Sequence, residues 1–312
     1  MRKMADGKKI YFSIPDFYHN FNLNMNLLNL MKMQPELFMD DIVIDSVYGS
    51  FPGCIWNSGR GTIGMATYEN IVATVKPFNE MGVSVRHTFT SSWLDEKHIN
   101  DYYCNRILEI TSHVALGTKT MNGVNISSPR LERHIAKNYP DFYRLWSTTK
   151  QGGESVKTLN ELSADRIAVM HYSLNNNESV LKKLKHPENV EVLVSEACVP
   201  NCPNRQTHYQ DISSLQKIEP SNGFRCPFNC EQYFYYELAT QRPHYVSPEA
   251  IREVYLPLGI NQFKIGGRND NVANVIENYV VYFVKPEHRD NVRNKLLVLQ
   301  FSGAVLNSNN NN

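Results

Sequence analysis

The sequence has no long apolar run, almost no net charge and few cysteines. No stretch of roughly 18 apolar residues occurs, so we expect no membrane-spanning helix. The 32 Lys and Arg residues nearly balance the 31 Asp and Glu residues. This balance excludes a dedicated DNA-coating protein, which would be strongly basic, but leaves room for a local basic pocket. The basic residues near the start are not followed by an apolar segment, so we expect no signal peptide and a cytoplasmic location.

Six cysteines in 312 residues are too sparse for a disulfide scaffold. Cys54 and Cys104 stand alone in the sequence, and their role is left open. The other four form two close pairs, Cys198 with Cys202 and Cys226 with Cys230. In a chain without an export signal, clustered thiols are better explained as metal ligands than as disulfides.

Eight short segments rich in β-branched and aromatic residues alternate with helical segments. They span residues 9–15, 42–51, 83–89, 123–128, 142–149, 166–172, 190–197 and 262–268. This alternation predicts a closed (β/α)8 TIM barrel. The alternative is an open doubly wound sheet, which usually has a glycine-rich turn after its first strand, and no glycine follows here. We expect a single domain over residues 1–306 and a disordered asparagine-rich tail at 307–312.

The seventh and eighth predicted strands are separated by far more chain than one helix needs. Residues 247–250 are typical of a helix start, and Gly259 is typical of a helix end. We therefore predict that residues 198–246 form a metal-binding insertion between strands 7 and 8. Long loops in compact domains usually serve a function.

The two cysteine pairs together supply four soft ligands. Such a set suits either Zn²⁺ or an iron–sulfur cluster, and four buried thiols without metal are a further alternative. Cys198 directly follows the seventh strand, at the end of the barrel where barrel enzymes carry their chemistry. Arg205, His208 and Tyr209 lie just past the first pair and can tune a bound metal by contacting its ligands.

Two histidines end predicted strands on the same side of the barrel. His87 ends the third strand and His171 ends the sixth, and we predict both as catalytic groups that move protons. The alternative for each is a hydrogen-bonded core histidine. Side chains alternate along a strand, so Arg86 and His87 cannot both enter the mouth.

Two loops are predicted to bind substrate. In the segment 264–268, Gly266 and Gly267 let the backbone approach an anion, and Arg268 can hold a phosphate or carboxylate. After the second strand, Asn57 and Arg60 can hold a planar or anionic ligand. Ordinary turns with surface side chains are the alternative at both places.

Three segments together resemble a known family. These are EACVPNC after the seventh strand, the later CPFNC, and FKIGGR at the eighth strand. They resemble the collagenase-like peptidase family (family 32 of the peptidases of unknown mechanism) and its relatives in anaerobic ubiquinone and RNA hydroxylation. The similarity spans residues 40–290 and is specific over 190–268. The resemblance implies a barrel in which Cys198, Cys202, Cys226 and Cys230 hold a 4Fe–4S cluster, with zinc as the alternative.

The same resemblance implies an oxygen-independent hydroxylation, or a related redox step, on a small molecule or RNA. The chain departs from the family pattern where Gly266 replaces a glutamate, where 195–197 replaces a His-Gly segment, and in a closer first cysteine pair. A metal site can survive these changes, whereas a reaction that needs the glutamate cannot. The alternatives are a zinc-stapled, peptidase-like hydrolase and a non-enzymatic binding module. We expect neither DNA nor a membrane as a partner, and a homo- or hetero-oligomer is left open.

Overall fold

The computed structural model describes residues 9–58, 63–150, 155–227, 235–267 and 271–306. Eight parallel strands form a closed barrel in which each strand pairs with the next and the last pairs with the first. The strands are β1 Ile10–Pro15, β2 Ile42–Gly49, β3 Ser84–Phe89, β4 Gly123–Ile126, β5 Tyr143–Trp146, β6 Ala168–Met170, β7 Val190–Leu193 and β8 Gln262–Lys264. The predicted (β/α)8 barrel is confirmed, and the open-sheet alternative is wrong.

Helices connect the strands on the outside of the barrel. They are α1 Phe21–Met33, α2 Tyr68–Glu80, α3 Glu96–Ile99, α4 Tyr102–Thr118, α5 Pro129–Asn138, α6 Val156–Leu162, α7 Glu178–Leu181, α8 Arg205–Gln216, α9 Tyr235–Thr240, α10 Pro248–Ala250, α11 Val272–Phe283 and α12 Arg289–Ser302. None of the helices in the described ranges combines the length and the apolar character that a bilayer crossing requires.

Local chemistry explains where several helices begin and end. Ser128 caps α5 by accepting a hydrogen bond from the Leu131 amide, and Pro129 occupies the first turn, where a missing N–H costs nothing. Ser247 caps α10 in the same way. The helical path then continues to Leu258 and ends at Gly259, whose φ of 84° suits glycine.

Alternation along β3 separates an apolar outer face from a polar inner face. His87 and Phe89 pack outward, with their rings stacked 5.4 Å apart. Arg86 points inward, because its guanidinium pairs with Glu191 on β7, a strand on the opposite side of the barrel. The Arg86 Nε also donates to the Tyr143 hydroxyl at 3.0 Å. The lower interior is therefore closed by a buried ionic cluster rather than by aliphatic side chains alone.

A glycine makes room for this cluster. A Cβ at Gly123 on β4 would lie 2.5 Å from the Tyr143 ring on β5. The ring can cross the interior and reach Arg86 only because residue 123 has no side chain.

The connection between β7 and β8 covers residues 194–261 and includes α8, α9 and α10. Its role as a metal-binding insertion stays a prediction, as do the proposed domain limits. Arg60, Cys230, Arg268 and the tail 307–312 lie outside the described residues.

Candidate functional site

A cavity of about 110 Å³ lies at the carboxyl ends of the strands, and we name it the mouth cavity. Its lining comes from the ends of five strands and from the connection after β7. The lining residues are Tyr48, Thr88, Thr90, Ser147, Thr148, Thr149, Leu193, Glu196, Cys198, Cys202, Asn204, Arg205, His208, Tyr209, Phe224, Cys226, Lys264, Gly266 and Gly267. This is the end at which barrel enzymes place their active sites.

Three of the four predicted metal ligands line the mouth cavity: Cys198, Cys202 and Cys226. All three are free thiols of intermediate burial. Cys198 and Cys202 are carried there directly by β7. Cys226 is distant from them in sequence, so other contacts must hold it at the same cavity.

Helix α8 provides the first part of these contacts, because it is docked over the loop that follows β2. The Ser58 hydroxyl donates to the Tyr209 carbonyl at 3.1 Å, and the Ser213 hydroxyl donates to Ser58 at 2.8 Å. Beyond the helix, the Lys217 ammonium donates to the Trp93 carbonyl at 3.1 Å. These bonds fix α8 across the β2–β3 side of the mouth.

The second part is a return of the chain along α8. One Asp211 carboxylate oxygen accepts from the Ser221 hydroxyl and the Asn222 amide, both at 2.7 Å, and the other accepts from the Phe224 amide at 3.0 Å. The Phe224 ring stacks on His208 at 5.1 Å. Since His208 and Asp211 are one turn apart, the returning segment is held to one face of α8, and Cys226 follows it into the mouth cavity.

Burial and neighbouring charges shape the thiol of Cys198. Burial, reinforced by the Glu196 carboxylate, raises the pKa of Cys198 to about 12. The Tyr172 hydroxyl is a hydrogen-bonding neighbour of this thiol and also donates to the Val199 carbonyl at 3.0 Å. The Cys198 amide donates to the Glu196 carboxylate at 3.1 Å, which fixes the turn.

Arg205, at the start of α8, contacts two aromatic rings. Its guanidinium lies 4.8 Å from the centre of the Tyr172 ring and 4.8 Å from that of Tyr209. Its Nη2 donates to the Thr148 hydroxyl at 3.3 Å. Burial alone would lower the pKa of Arg205, but Tyr209, Tyr172 and Glu196 raise it, so the side chain stays charged.

His171 lies beside this group without lining the mouth cavity. Its ring stacks on Tyr172 at 4.5 Å, and its Nδ1 accepts from the Ser173 amide at 3.2 Å. Burial, with smaller contributions from Arg205 and His244, lowers the pKa of His171 to about 3. It is therefore a neutral neighbour of the site at physiological pH, and its catalytic role stays a prediction.

His87 is not brought to the mouth cavity. Its side chain faces the helices, where Nε2 contacts the Thr111 hydroxyl of α4 at 3.1 Å. Phe17 and Phe51 also surround the ring, and burial lowers its pKa to about 3. Because the outward phase of β3 places it in the apolar layer, we give it no role in the function proposed below.

Gly266 and Gly267 line the mouth cavity, and their binding of substrate stays a prediction. A Cβ at Gly266 would lie 2.6 Å from the Ser195 carbonyl oxygen, and the Gly266 amide donates to the Ser195 hydroxyl at 3.0 Å. No side chain, and hence no glutamate, fits there on this backbone. Asn57 is fully buried and accepts from the Thr88 hydroxyl at 3.1 Å, so it supports a lining residue instead of lining the cavity itself.

Tyr48 and Lys264 are among the lining residues that sequence reasoning did not single out. The Lys264 ammonium lies 3.7 Å from the centre of the Tyr48 ring, and the Tyr48 hydroxyl donates to the Ile265 carbonyl at 2.6 Å. Lys264 ends β8 and Tyr48 lies one residue before the end of β2, so position alone was a usable signal. Their pairing across β1 was not visible in the sequence.

The donor set of the mouth fits a soft metal centre in its chemistry. Three thiols share one cavity, and two cations, Arg205 and Lys264, line the same space and can balance thiolate charge. Within the described residues, no three His, Cys, Asp or Glu side chains meet at a spacing that holds a single ion. The predicted fourth ligand, Cys230, lies outside those residues.

No protein-family model matches the sequence, and no curated protein matches it either. Among solved structures, the chain is similar to the U32 peptidase Mk0906, with a TM-score of 0.50 and 14% identity. The match covers 85% of this chain and 95% of that one. A domain of a chitinase-related protein from Desulfitobacterium hafniense gives a TM-score of 0.24 at 12% identity over 68% of this chain and 53% of that one, too low to indicate a shared fold. The chain therefore has the fold of a U32 peptidase.

Proposed function

We propose that this protein is an iron–sulfur TIM-barrel enzyme that performs an oxygen-independent hydroxylation or related redox modification of a small molecule or RNA. The ligands of its 4Fe–4S cluster are Cys198, Cys202, Cys226 and Cys230. One observation carries the proposal: cysteines from two distant parts of the chain line a single cavity at the mouth of the barrel. The similarity in fold to a U32 peptidase supports the barrel part of this proposal.

The chain's own residues have separable tasks around this cavity. Asp211 and His208 hold the segment that brings Cys226 to the first pair. Arg205 and Lys264 supply positive charge beside the thiols. When bound, the cluster supplies electrons or Lewis acidity. The hydroxyls of Thr88, Thr90 and the segment 147–149 offer donors and acceptors that orient a substrate in the space beside it.

Metal analysis of anaerobically purified protein tests the proposal. We expect a brown protein that contains iron and acid-labile sulfide, and we expect Cys198→Ser to lose most of both. Stoichiometric zinc without iron, or iron content unchanged in Cys198→Ser, would contradict it. A change in that variant's far-UV circular dichroism would identify a folding failure, in which case Cys202→Ser, at a partly exposed thiol, repeats the measurement.

A second candidate function is peptide hydrolysis, which the fold similarity to a U32 peptidase favours. Here the thiols would bind a structural zinc, because a site with four thiolate ligands is normally closed and non-catalytic. This candidate predicts that peptidase activity on a gelatin substrate persists in Cys198→Ser when the fold is intact. The cluster enzyme predicts no such activity.

A further inference from the structure

A second cavity, of about 310 Å³, adjoins the mouth cavity, and we name it the side cavity. Its lining residues are Ser92, Trp93, Thr148, Thr149, Lys150, Cys202, Pro203, Arg205, Gln206 and Tyr209. We propose that the side cavity binds an anionic group of the substrate, a phosphate or a carboxylate, between Lys150 and Arg205. This inference deepens the proposed function and rests on it for the statement that the anion belongs to the substrate.

The charge of the side cavity is of one sign. Its described lining contains two cations, Lys150 and Arg205, and no Asp or Glu. The remaining polar groups include the hydroxyls of Ser92, Thr148 and Thr149, which can donate to an anion. A cavity with this lining attracts anions and repels cations.

Arg205 is positioned to bind and has donors to spare. Its guanidinium packs against the rings of Tyr172 and Tyr209, so little side-chain entropy is lost on binding. A guanidinium has five N–H donors, and the Thr148 hydroxyl takes one of them. Within the described residues, Arg205 forms no ion pair with a carboxylate; Glu196, the nearest carboxylate to influence it, lines the mouth cavity instead.

Lys150 is the second cation in the lining of the side cavity. Its ammonium lies 3.5 Å from the centre of the Trp146 ring, which orients the side chain without neutralising its charge. The other charged groups that influence it are Glu132 and Arg166, and these two are paired with each other. In the described part of the chain Lys150 therefore has no carboxylate partner of its own.

The start of α8 adds to the positive potential. The helix has 12 residues, no acidic residue in its first turn, and an N-cap, Asn204, whose side chain does not cap the helix. Its first residues, Arg205 and Gln206, line the side cavity, so the positive end of the helix dipole lies at this wall.

The two cavities are adjacent and share part of their lining. Thr148, Thr149, Cys202, Arg205 and Tyr209 line both of them. A substrate whose anionic group sits between Lys150 and Arg205 can therefore extend past Cys202 into the mouth cavity. The rings of Trp93 and Tyr209 allow a planar group next to the anion.

Calorimetric titration of the full-length, metal-containing protein at low and high salt tests this site. The probes are inorganic phosphate, succinate, adenosine 5′-monophosphate with adenosine as its neutral control, and a short single-stranded RNA. We expect adenosine 5′-monophosphate to bind at least about tenfold more tightly than adenosine, and the difference to shrink at high salt. Preference for succinate would assign the site to carboxylates, and preference for the RNA would assign it to phosphodiesters.

Variants separate this site from the metal proposal. We expect Lys150→Met to weaken binding of the preferred anion at least about tenfold, Arg205→Lys to weaken it less, and Lys183→Met, at an exposed lysine elsewhere, to leave it unchanged. Cys226→Ser, outside the side cavity, should lose metal but keep anion affinity. Equal affinities in Lys150→Met and Lys183→Met, or no anion binding at low salt, would overturn the inference even if the metal proposal holds.

Discussion

Cysteines occupy two regions of this molecule under opposite conditions. Cys54, after β2, and Cys104, on α4, are fully buried in the hydrophobic core, with their sulfur atoms 3.5 Å apart. Burial, with Cys54 nearby, raises the pKa of Cys104 well above its ordinary value. Cys198, Cys202 and Cys226 are partly exposed, line a cavity and have cations beside them. The comparison shows that a cysteine in the sequence does not by itself predict a metal ligand. Solvent access and neighbouring charge differ between the two regions, and both affect the reactivity of a thiol.

Removing one thiol from each region gives the largest expected contrast. Cys226→Ala should lower bound iron at least about tenfold, since even contacts outside the ligand set can change metal affinity by 10–100-fold. Cys104→Ala should keep the iron and instead lower the free energy of unfolding by about 1–2 kcal/mol, because it leaves a small core cavity. Iron analysis and denaturant unfolding measure the two effects. Iron lost equally in both variants would remove the distinction between the regions.

Adding a methyl group at the mouth should lower the stability of the fold far more than adding one on the outer surface. Gly266→Ala places a Cβ 2.6 Å from the Ser195 carbonyl, so the backbone must shift, and we expect a loss of about 1–3 kcal/mol. Gly117→Ala, in α4 with nothing within 4 Å, should be neutral or stabilising by up to about 1 kcal/mol. Thermal unfolding of the two variants checks this, and similar melting temperatures would show that the close approach is relieved at little cost.

Replacing the Asp211 carboxylate with an amide should weaken the attachment of the returning segment to α8. Asp211→Asn removes an ionised acceptor of three hydrogen bonds, and bonds to charged groups contribute about 1.5–3 kcal/mol. Amide exchange at Asn222 and Phe224 should therefore become faster by about tenfold or more. Asp165→Asn is the matched control, at an acidic residue whose partner among the described residues is its neighbour Arg166, and it should leave exchange at these amides unchanged.

Lowering the pH should modestly reduce the stability that the pairing of Lys217 with Glu219 contributes at the end of α8. The hydrogen bond from Lys217, with smaller contributions from Lys97 and His98, lowers the pKa of Glu219 to about 2 from 4.5. A carboxyl with a lowered folded-state pKa stabilises the fold above its unfolded-state pKa, and the contribution is lost as the pH falls from 4.5 towards 2. The difference in the free energy of unfolding between the wild-type protein and Glu219→Gln should therefore decrease over that pH interval. A constant difference would show that the pairing is fully screened by solvent.

The sequence predicted the barrel because each strand is a local pattern. All eight predicted strands overlap the observed ones, and several of them are apolar on successive residues, as burial on both faces favours. The placement of His87 illustrates what a pattern leaves out. A shift of one residue along β3 decides whether a side chain faces the helices or the barrel interior. The pairing of Arg86 with Glu191 across the interior shows that Arg86 faces inward and His87 outward.

The mouth was accessible to sequence reasoning only in part. The cysteine pairs were visible because their spacing is short, and their position after the seventh strand located them. The Arg205 stack, the Lys264–Tyr48 contact and the bond from Ser58 to Tyr209 join residues far apart in the chain. No local propensity encodes such contacts, and the two cavities that depend on them were therefore not predicted.

The length of α8, and the direction in which its side chains face, determine how the chain returns from the first cysteine pair to the second. Its 12 residues extend about 18 Å, and the chain must retrace that distance before Cys226 can approach Cys202. A residue inserted between Arg205 and His208 would rotate both His208 and Asp211 by roughly 100° around the axis of α8. The returning segment that these two residues hold would then be turned away from the barrel. We therefore expect any change in the length of α8 to require a matching change in the returning segment, residues 221–226, that His208 and Asp211 hold.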